Sequence, residues 1–255
     1  MVPLRYLWLV TCLKLRLQWA CYATFANVRF HVRPEHYQLR AIFKQQAIQP
    51  VLAKLINLCD AETLFLDIGA NIGLFSLLIS AKTGARALTF EPVRSTFHAL
   101  VQNCACNPHL PIAPLNTALG ASPCIVEITA IPGSGVNQIA AVAERPDEPR
   151  QSVPQLTLDQ LKVADLLGTQ QKLVVKIDVE RYELEVLAGA KDLLALKVPM
   201  VLCIEVPRSQ QDQVSDFLGT HFHPIQPMPD TSFPINPDSD SDDLFYANDA
   251  WLQKL

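Results

Sequence analysis

The sequence predicts an α/β fold: a mostly parallel sheet with helices on both faces, preceded by a helical N-terminal extension. Three observations predict it. Apolar runs that end in an acid recur along the chain, at residues 63–67, 86–91, 172–178 and 200–205. Stretches with apolar residues at helical spacing lie between them, and strand–helix–strand repeats close through right-handed crossovers into a parallel sheet. The first run opens into Asp67-Ile68-Gly69-Ala70-Asn71-Ile72-Gly73. That stretch reads as strand, tight turn and helix, the arrangement that builds a nucleotide pocket at the carboxyl end of a strand.

The 255 residues suit one large domain, read as residues 60–255, with an extension over residues 1–59. A hydrophobic fraction of 49% and a charged fraction of 18% give a globular protein with a core and exclude a disordered chain. The net charge is −4, with no basic patch in the main body, which argues against nucleic acid as a partner. Seven scattered cysteines, an odd count without paired CxxC units, exclude a disulfide framework or a zinc site. They read as buried thiols in a reducing compartment, so the expected location is the cytoplasm.

Residues 1–34 carry five basic residues and no acid before Glu35. Lys14 and Arg16 interrupt the apolar run, so a membrane span of about 20 residues is not supported. Two readings stand. The favoured one is a helix packed on the main domain. The other is a basic helix bearing Trp8 and Trp19 that lies on a membrane surface. Residues 50–59 read as a helix with Pro50 in its first turn and Val51, Leu52, Leu55, Ile56 and Cys59 on one face.

After the glycine turn, residues 72–81 read as a helix ended at Gly84. A second strand runs to Glu91. Phe97, Leu100, Val101 and Cys104 mark the next helix. Residues 112–119 read as a third strand with Asn116 near its end. Residues 120–155 depart from the pattern: 124–129 alternates like an edge strand or hairpin arm, 131–135 reads as loop, and 143–154 is polar with three prolines, an excursion from the core pattern. This excursion is expected to shape an acceptor pocket. The pattern resumes with a strand ending at Asp178, a helix from Glu183, a strand ending at Glu205, a helix to Leu218, and last strands near 221–226 and 244–247. The acidic stretch at 238–243 misses a calcium-loop spacing and reads as a solvated loop.

Asp67, Glu91, Asp178 and Glu205 thus end four strands in one crevice. Gly69 and Gly73 let the backbone approach a ligand closely and turn into the helix. Glu91, one unit later, is placed to accept both hydroxyl protons of a ribose. A nicotinamide dehydrogenase would have G-x-G-x-x-G; here the spacing is D-x-G-x-x-x-G. An acid just before the turn repels an anionic pyrophosphate and favours a sulfonium or ammonium. The charge therefore points to S-adenosylmethionine over NAD.

Asp67 to Gly73, Phe90-Glu91-Pro92, Asn116-Thr117-Ala118-Leu119-Gly120 and Val175-Lys176-Ile177-Asp178-Val179-Glu180, followed by Tyr182-Glu183-Leu184-Glu185, resemble the FkbM-type methyltransferases. Ile204-Glu205 fits that family's next strand. The resemblance spans roughly residues 60–250. It implies a class I methyltransferase (Rossmann-like) sheet of seven strands with the last antiparallel. It also implies methyl transfer from S-adenosyl-L-methionine, usually to a hydroxyl of a sugar, glycan or secondary metabolite. By the same resemblance Asp67, Gly69, Ala70, Asn71 and Gly73 hold the methionine part of the cofactor, Glu91 and Pro92 the ribose side, and Asn116 and Ala118 the adenine. Asp178 and Glu180 sit where methyl donor and acceptor meet. One residue departs: the family's usual glycine after Glu180 is Arg181, strained if the position needs a positive φ.

A hydroxyl acceptor gains from a general base within hydrogen-bond reach. The candidates are Asp178 and Glu180, with Glu205 third. Lys176 reads as a strand residue whose amine reaches the edge, Glu183 and Glu185 as a solvated helix face, and His221 and His223 as edge-strand histidines rather than metal ligands. Two alternatives accompany this reading: a catalytically inactive cofactor-binding or scaffold protein, motivated by Arg181, and a nicotinamide oxidoreductase, opposed by the missing middle glycine.

Overall fold

A computed structural model describes residues 11, 22–32, 39, 42–44, 46–131, 137–141, 147–235 and 243–254. The first strands among the described residues form a hairpin of β1 (Tyr22–Phe25) and β2 (Val28–His31). Its two-residue turn, Ala26-Asn27, has φ of 49° and 65°; two consecutive left-handed residues match the twist of a hairpin. The helix expected over these residues is therefore corrected to strand. Val28, Phe30 and Val32 are buried on alternate positions, a period of two that a general apolar count conceals. Backbone N–H groups of Arg29 and His31 donate to the side chains of Asn107 and Asn103, at 3.0 and 2.8 Å, which fixes the hairpin to the domain. The membrane-surface reading of Trp8 and Trp19 falls outside the described residues. Among those described, no helix is long and apolar enough to cross a membrane.

Helix α1 (Pro50–Leu58) buries Val51, Leu52, Leu55 and Ile56, as its spacing predicts. Then come β3 (Thr63–Ile68), α2 (Leu74–Thr83), β4 (Arg86–Phe90), α3 (Arg94–Ala105) and β5 (Ile112–Leu115). After these lie β6 (Ala118–Leu119), β7 (Cys124–Thr129), β8 (Arg150–Leu156) and the short α4 (Val163–Leu166). The pattern resumes with β9 (Lys172–Ile177), α5 (Glu183–Ala188), α6 (Lys191–Leu194), β10 (Met200–Glu205) and α7 (Gln211–Leu218). It closes with β11 (Phe222–Pro224), β12 (Asp243–Asn248) and α8 (Asp249–Leu252).

Seven strands form the central sheet in the order β5-β4-β3-β9-β10-β12-β11. β5, β4, β3, β9 and β10 run parallel to their neighbours, and the last strand, β12, lies antiparallel to both β10 and β11. Successive strand residues feed opposite layers. Phe65 packs with Leu52 of α1, Leu77 of α2 and Phe30 of the hairpin, whereas Leu64 and Leu66 pack with Val186 of α5 and Val214 of α7. Both faces are thus dry, which is why these strands read as continuous apolar runs rather than alternating ones. The chain leaves β3 toward β4 and β5, then returns to β9 on the other side. That reversal opens a crevice at the carboxyl ends of β3 and β9.

Two segments differ from the reading of the sequence. The expected single strand 112–119 breaks at Asn116-Thr117, and its second half, β6, joins β8 and β7 in a separate three-stranded sheet. The polar stretch before Leu156 is strand β8 from Arg150 onward, paired from Thr129↔Arg150 to Cys124↔Gln155. Polar composition and prolines do not mark it as strand; the backbone pairing with β7 does.

Candidate active site

The glycine turn is built as its residue types require. Gly69 and Gly73 both have φ of 83°, and Asn71 between them has 53°, a conformation that asparagine tolerates better than most residues. A Cβ on Gly69 would stand 1.8 Å from the carbonyl oxygen of Asp178. The turn after β3 therefore lies directly on the chain leaving β9. The N–H groups of Gly69 and Ala70 both donate to Phe90 O at 3.0 Å, tying the turn to β4 as well.

Glu91 follows β4 and is 6% exposed. Its two oxygens accept from the backbone N–H of Asn71 at 3.0 Å and of Val93 at 2.8 Å. Each oxygen keeps a lone pair for a ligand hydroxyl. Burial pushes its carboxyl up to about 7, against the pull of those two N–H groups. Asn116 donates to the carbonyls of Glu91 and Pro92, at 2.8 and 3.0 Å, so it holds this turn from behind.

A crevice of about 830 Å³, open solvent at its mouth included, is lined by Gly69, Ala70, Asn71, Glu91, Pro92, Ala118, Asp178 and Glu180 among the expected residues. Asp67, Gly73, Asn116 and Glu205 are not on its wall. Asp67 is wholly buried, and its Oδ2 accepts from the N–H and hydroxyl of Ser76. Burial raises its carboxyl, with the Lys176 ammonium and the Ser76 bonds opposing. Its charge is spent inside the protein. The carboxylates that face the crevice are Glu91, Asp178 and Glu180. Thr117, Ile128, Asn137, Ile139 and Tyr182 also line the wall. Part of the excursion at 120–155 therefore faces the crevice from the β6 side.

The Lys176 amine reaches the carboxyl edge of β9 and pairs there with an acid. It is 3% exposed, its Nζ lies 2.6 Å from Asp178 Oδ2 and 4.6 Å from the centre of the Phe75 ring. It stands in register between Asp67 on β3 and Cys203 on β10. Burial opposes its charge, but the Asp178 and Asp67 carboxylates outweigh burial and hold it as ammonium. A lysine inside an otherwise apolar strand, beside an acid-tipped one, was the signal.

Glu180 has a carboxyl pushed up to about 7, first by burial and then by the charges of Asp178 and Glu183. Glu205 is exposed, and the Asp178 charge foremost pushes its carboxyl up to about 8. Glu180 and Arg181 both have positive φ, 58° and 79°. The position after Glu180 thus demands the left-handed conformation and holds arginine in it. Glu183 is corrected from solvated to buried: its Oε1 accepts from the N–H of Val179 at 3.2 Å and of Arg181 at 3.1 Å, pinning this turn. Glu185 is exposed, as expected.

S-adenosylmethionine offers a ribose diol, an adenine and a cationic methionine end. The crevice offers an anchored carboxylate with free lone pairs, an apolar wall beside Ala118, and more carboxylates than ammonium groups. The residues fit that cofactor.

A seven-stranded sheet in this order, with its final strand antiparallel, a glycine turn after the central strand and an acid at the tip of the next, is a class I S-adenosylmethionine-dependent methyltransferase fold. The chain matches the methyltransferase FkbM domain over residues 67–233 and belongs to that family. It is 29% identical over 148 residues to the hexuronic acid methyltransferase AglP of Haloferax volcanii, a match that covers 57% of this chain and 57% of that protein. Solved structures that align with it include a ribosomal protein L11 methylase from Lactobacillus delbrueckii subsp. bulgaricus, with a TM-score of 0.40, 13% identity, 77% of this chain and 75% of that one. A precorrin-6y C5,15-methyltransferase from Geobacter metallireducens aligns with a TM-score of 0.41, 11% identity, 78% of this chain and 84% of that one.

Proposed function

We propose that this chain transfers a methyl group from S-adenosylmethionine to an oxygen of a sugar, with a hydroxyl of a hexuronic acid as the acceptor. The observation that supports this most is the meeting of Glu91 with Asp178 and Glu180 on one crevice wall. The relative's name supplies the acceptor class. In this reading Gly69, Ala70 and Asn71 hold the methionine part, Glu91 the ribose, and Thr117 with Ala118 the adenine side. Asp67, Gly73 and Asn116 act through backbone shape rather than by contact.

The bound cofactor supplies an electrophilic methyl group, so the protein's work is alignment and proton removal. Glu180 is the general base: a carboxyl near 7 balances being ionised against holding a proton. Asp178, already committed to Lys176, orients the acceptor hydroxyl. Glu205, off the crevice wall, adds negative charge at the rim.

The test is transfer of radiolabelled methyl from S-adenosylmethionine to glucuronic acid, galacturonic acid and glucose. Alkali-stable label on the uronic acids is expected. Alkali-labile label would place the methyl on the carboxylate and remove the need for a base. No label on any sugar, with S-adenosylhomocysteine still bound, would refute the acceptor class; no binding would refute the whole reading.

A further inference from the structure

The mechanism above leaves one buried charged group unexplained. Lys176 sits near the carboxyl end of β9, in the middle of the sheet, where its neighbours along the strand are apolar. Its ammonium faces the crevice, paired with Asp178 and in register beside Asp67 of β3. On one side is Asp67, whose Oδ2 is taken by Ser76 in the first turns of α2 and whose Oδ1 has no hydrogen-bond partner among the described residues. On the other is Asp178, held at 2.6 Å and itself 26% exposed at the crevice. The Phe75 ring covers the ammonium at 4.6 Å, which adds a cation–π contact away from water. The glycine turn and Asp178 are also in direct backbone contact, since Asp178 N–H donates to Ile68 O at 3.0 Å.

We propose that Lys176 is a positioning residue for methyl transfer: by clamping Asp178 between the cofactor turn and the acceptor side, it fixes that carboxylate as an acceptor of hydrogen bonds from substrate and leaves Glu180 to take the hydroxyl proton. The inference rests on the methyltransferase reading above. Its physical basis is a division between two carboxylates two residues apart. One has a buried ammonium 2.6 Å from its Oδ2, which occupies that oxygen and fixes the direction the carboxylate faces. The other follows in the left-handed turn, facing the charges of Asp178, Glu183, Glu205, Lys176 and Arg181. Two acids whose surroundings differ this way take different roles. The step balances simply: the acceptor O–H gives its proton to Glu180 as its oxygen gains the methyl group, and the sulfonium becomes a neutral thioether.

Lys176→Met removes the charge and keeps the length; Lys176→Arg keeps the charge. Three measurements decide: S-adenosylhomocysteine binding by calorimetry, carboxyl ¹³C NMR titration of Glu180 in the unliganded protein (assigned with Glu180→Gln), and turnover with glucuronic acid as the probe. Lys176→Met is expected to bind S-adenosylhomocysteine within about threefold of the parent while kcat drops about 10- to 100-fold, the scale of a misplaced reacting group. The Glu180 midpoint is expected to rise, because the ammonium that lowers it is gone, and Lys176→Arg is expected to restore both. A parent-like kcat and midpoint in Lys176→Met would overturn the proposal. So would equal loss of binding and turnover with no rescue by arginine, which is the signature of a purely structural residue. Should Lys176→Met fail to fold, Asp67→Asn/Lys176→Met removes the stranded buried carboxylate and takes the same measurements. If the parent methylates no sugar, the acceptor reading fails, and the Glu180 titration in the variants still decides the role of Lys176.

Discussion

Arg181→Gly should make this protein more stable, and the size of the gain follows from its backbone. Arg181 has φ of 79°. A left-handed conformation costs a residue with a Cβ about 1–2 kcal/mol. Glycine escapes that cost but is freer in the unfolded chain, which returns about 0.4–1 kcal/mol. The net gain is about 0.5–1 kcal/mol, or about 1–4 °C in Tm for a chain of this size. Arg181→Ala is the control: it removes the guanidinium that faces Glu180 and keeps the strained backbone. The difference in Tm between the glycine and alanine variants, read by calorimetry, isolates the backbone contribution. A glycine variant no more stable than the alanine variant would show that the turn relaxes around a side chain and that no strain is stored there. A glycine variant less stable than the parent, with alanine equally low, would assign arginine's presence to a side-chain contact instead.

Three further outcomes are expected. Glu180→Gln should lower kcat about 10²–10⁴-fold, the contribution of a general base; in the parent, turnover should rise with pH through about 7 as Glu180 ionises, and that rise should vanish in the variant. Glu91 is raised from 4.5 to about 7 in the folded protein, so the folded state binds the extra proton between those values and unfolding free energy should fall as pH rises through that window. Glu91→Gln should flatten that slope in urea titrations, by about 3 kcal/mol across the window, and weaken S-adenosylhomocysteine binding. Gly69→Ala should abolish binding of that ligand and lower Tm, because its Cβ would collide with the Asp178 carbonyl; an alanine variant that binds normally would mean the turn is not part of the cofactor site.

The parts of the fold legible in the sequence are those dictated by local pattern. Continuous apolar runs ending in Asp67, Glu91 and Asp178 marked strands buried on both faces, and Gly69 and Gly73 marked a turn that only positive φ permits. The need for positive φ at Arg181 was also legible, from the departure it represents. What stayed hidden depended on distant partners. The hairpin at Tyr22–His31 is held by Asn103 and Asn107, far along the chain, and its alternation is only four residues long per strand. Glu183 looked solvated because a helix's first turn usually is; its burial follows from capping a turn whose shape is set two and four residues earlier. Lys176 needed the register of β3 against β9 to bring Asp67 beside it. Asp67 ends a strand, which points to the pocket in sequence, yet its side chain goes to Ser76 instead of the crevice.

That last displacement changes how the site selects its ligand. With Asp67 held beneath the floor by Ser76, the crevice keeps Glu91, Asp178 and Glu180 on its wall, together with the Lys176 ammonium. Asp178 is neutralised in part by Lys176, whereas the carboxyls of Glu91 and Glu180 are raised chiefly by burial. A cationic ligand entering such a site relieves unfavourable burial of charge, and its removal restores it. In the proposed reading the same carboxylates favour the sulfonium donor over its neutral thioether product, because charge loss on methyl transfer removes the attraction that retained the donor. Binding of S-adenosylmethionine should therefore strengthen from pH 6 to pH 8 more steeply than binding of S-adenosylhomocysteine. Parallel pH dependences for the two ligands would mean that the carboxylates do not sense the sulfonium.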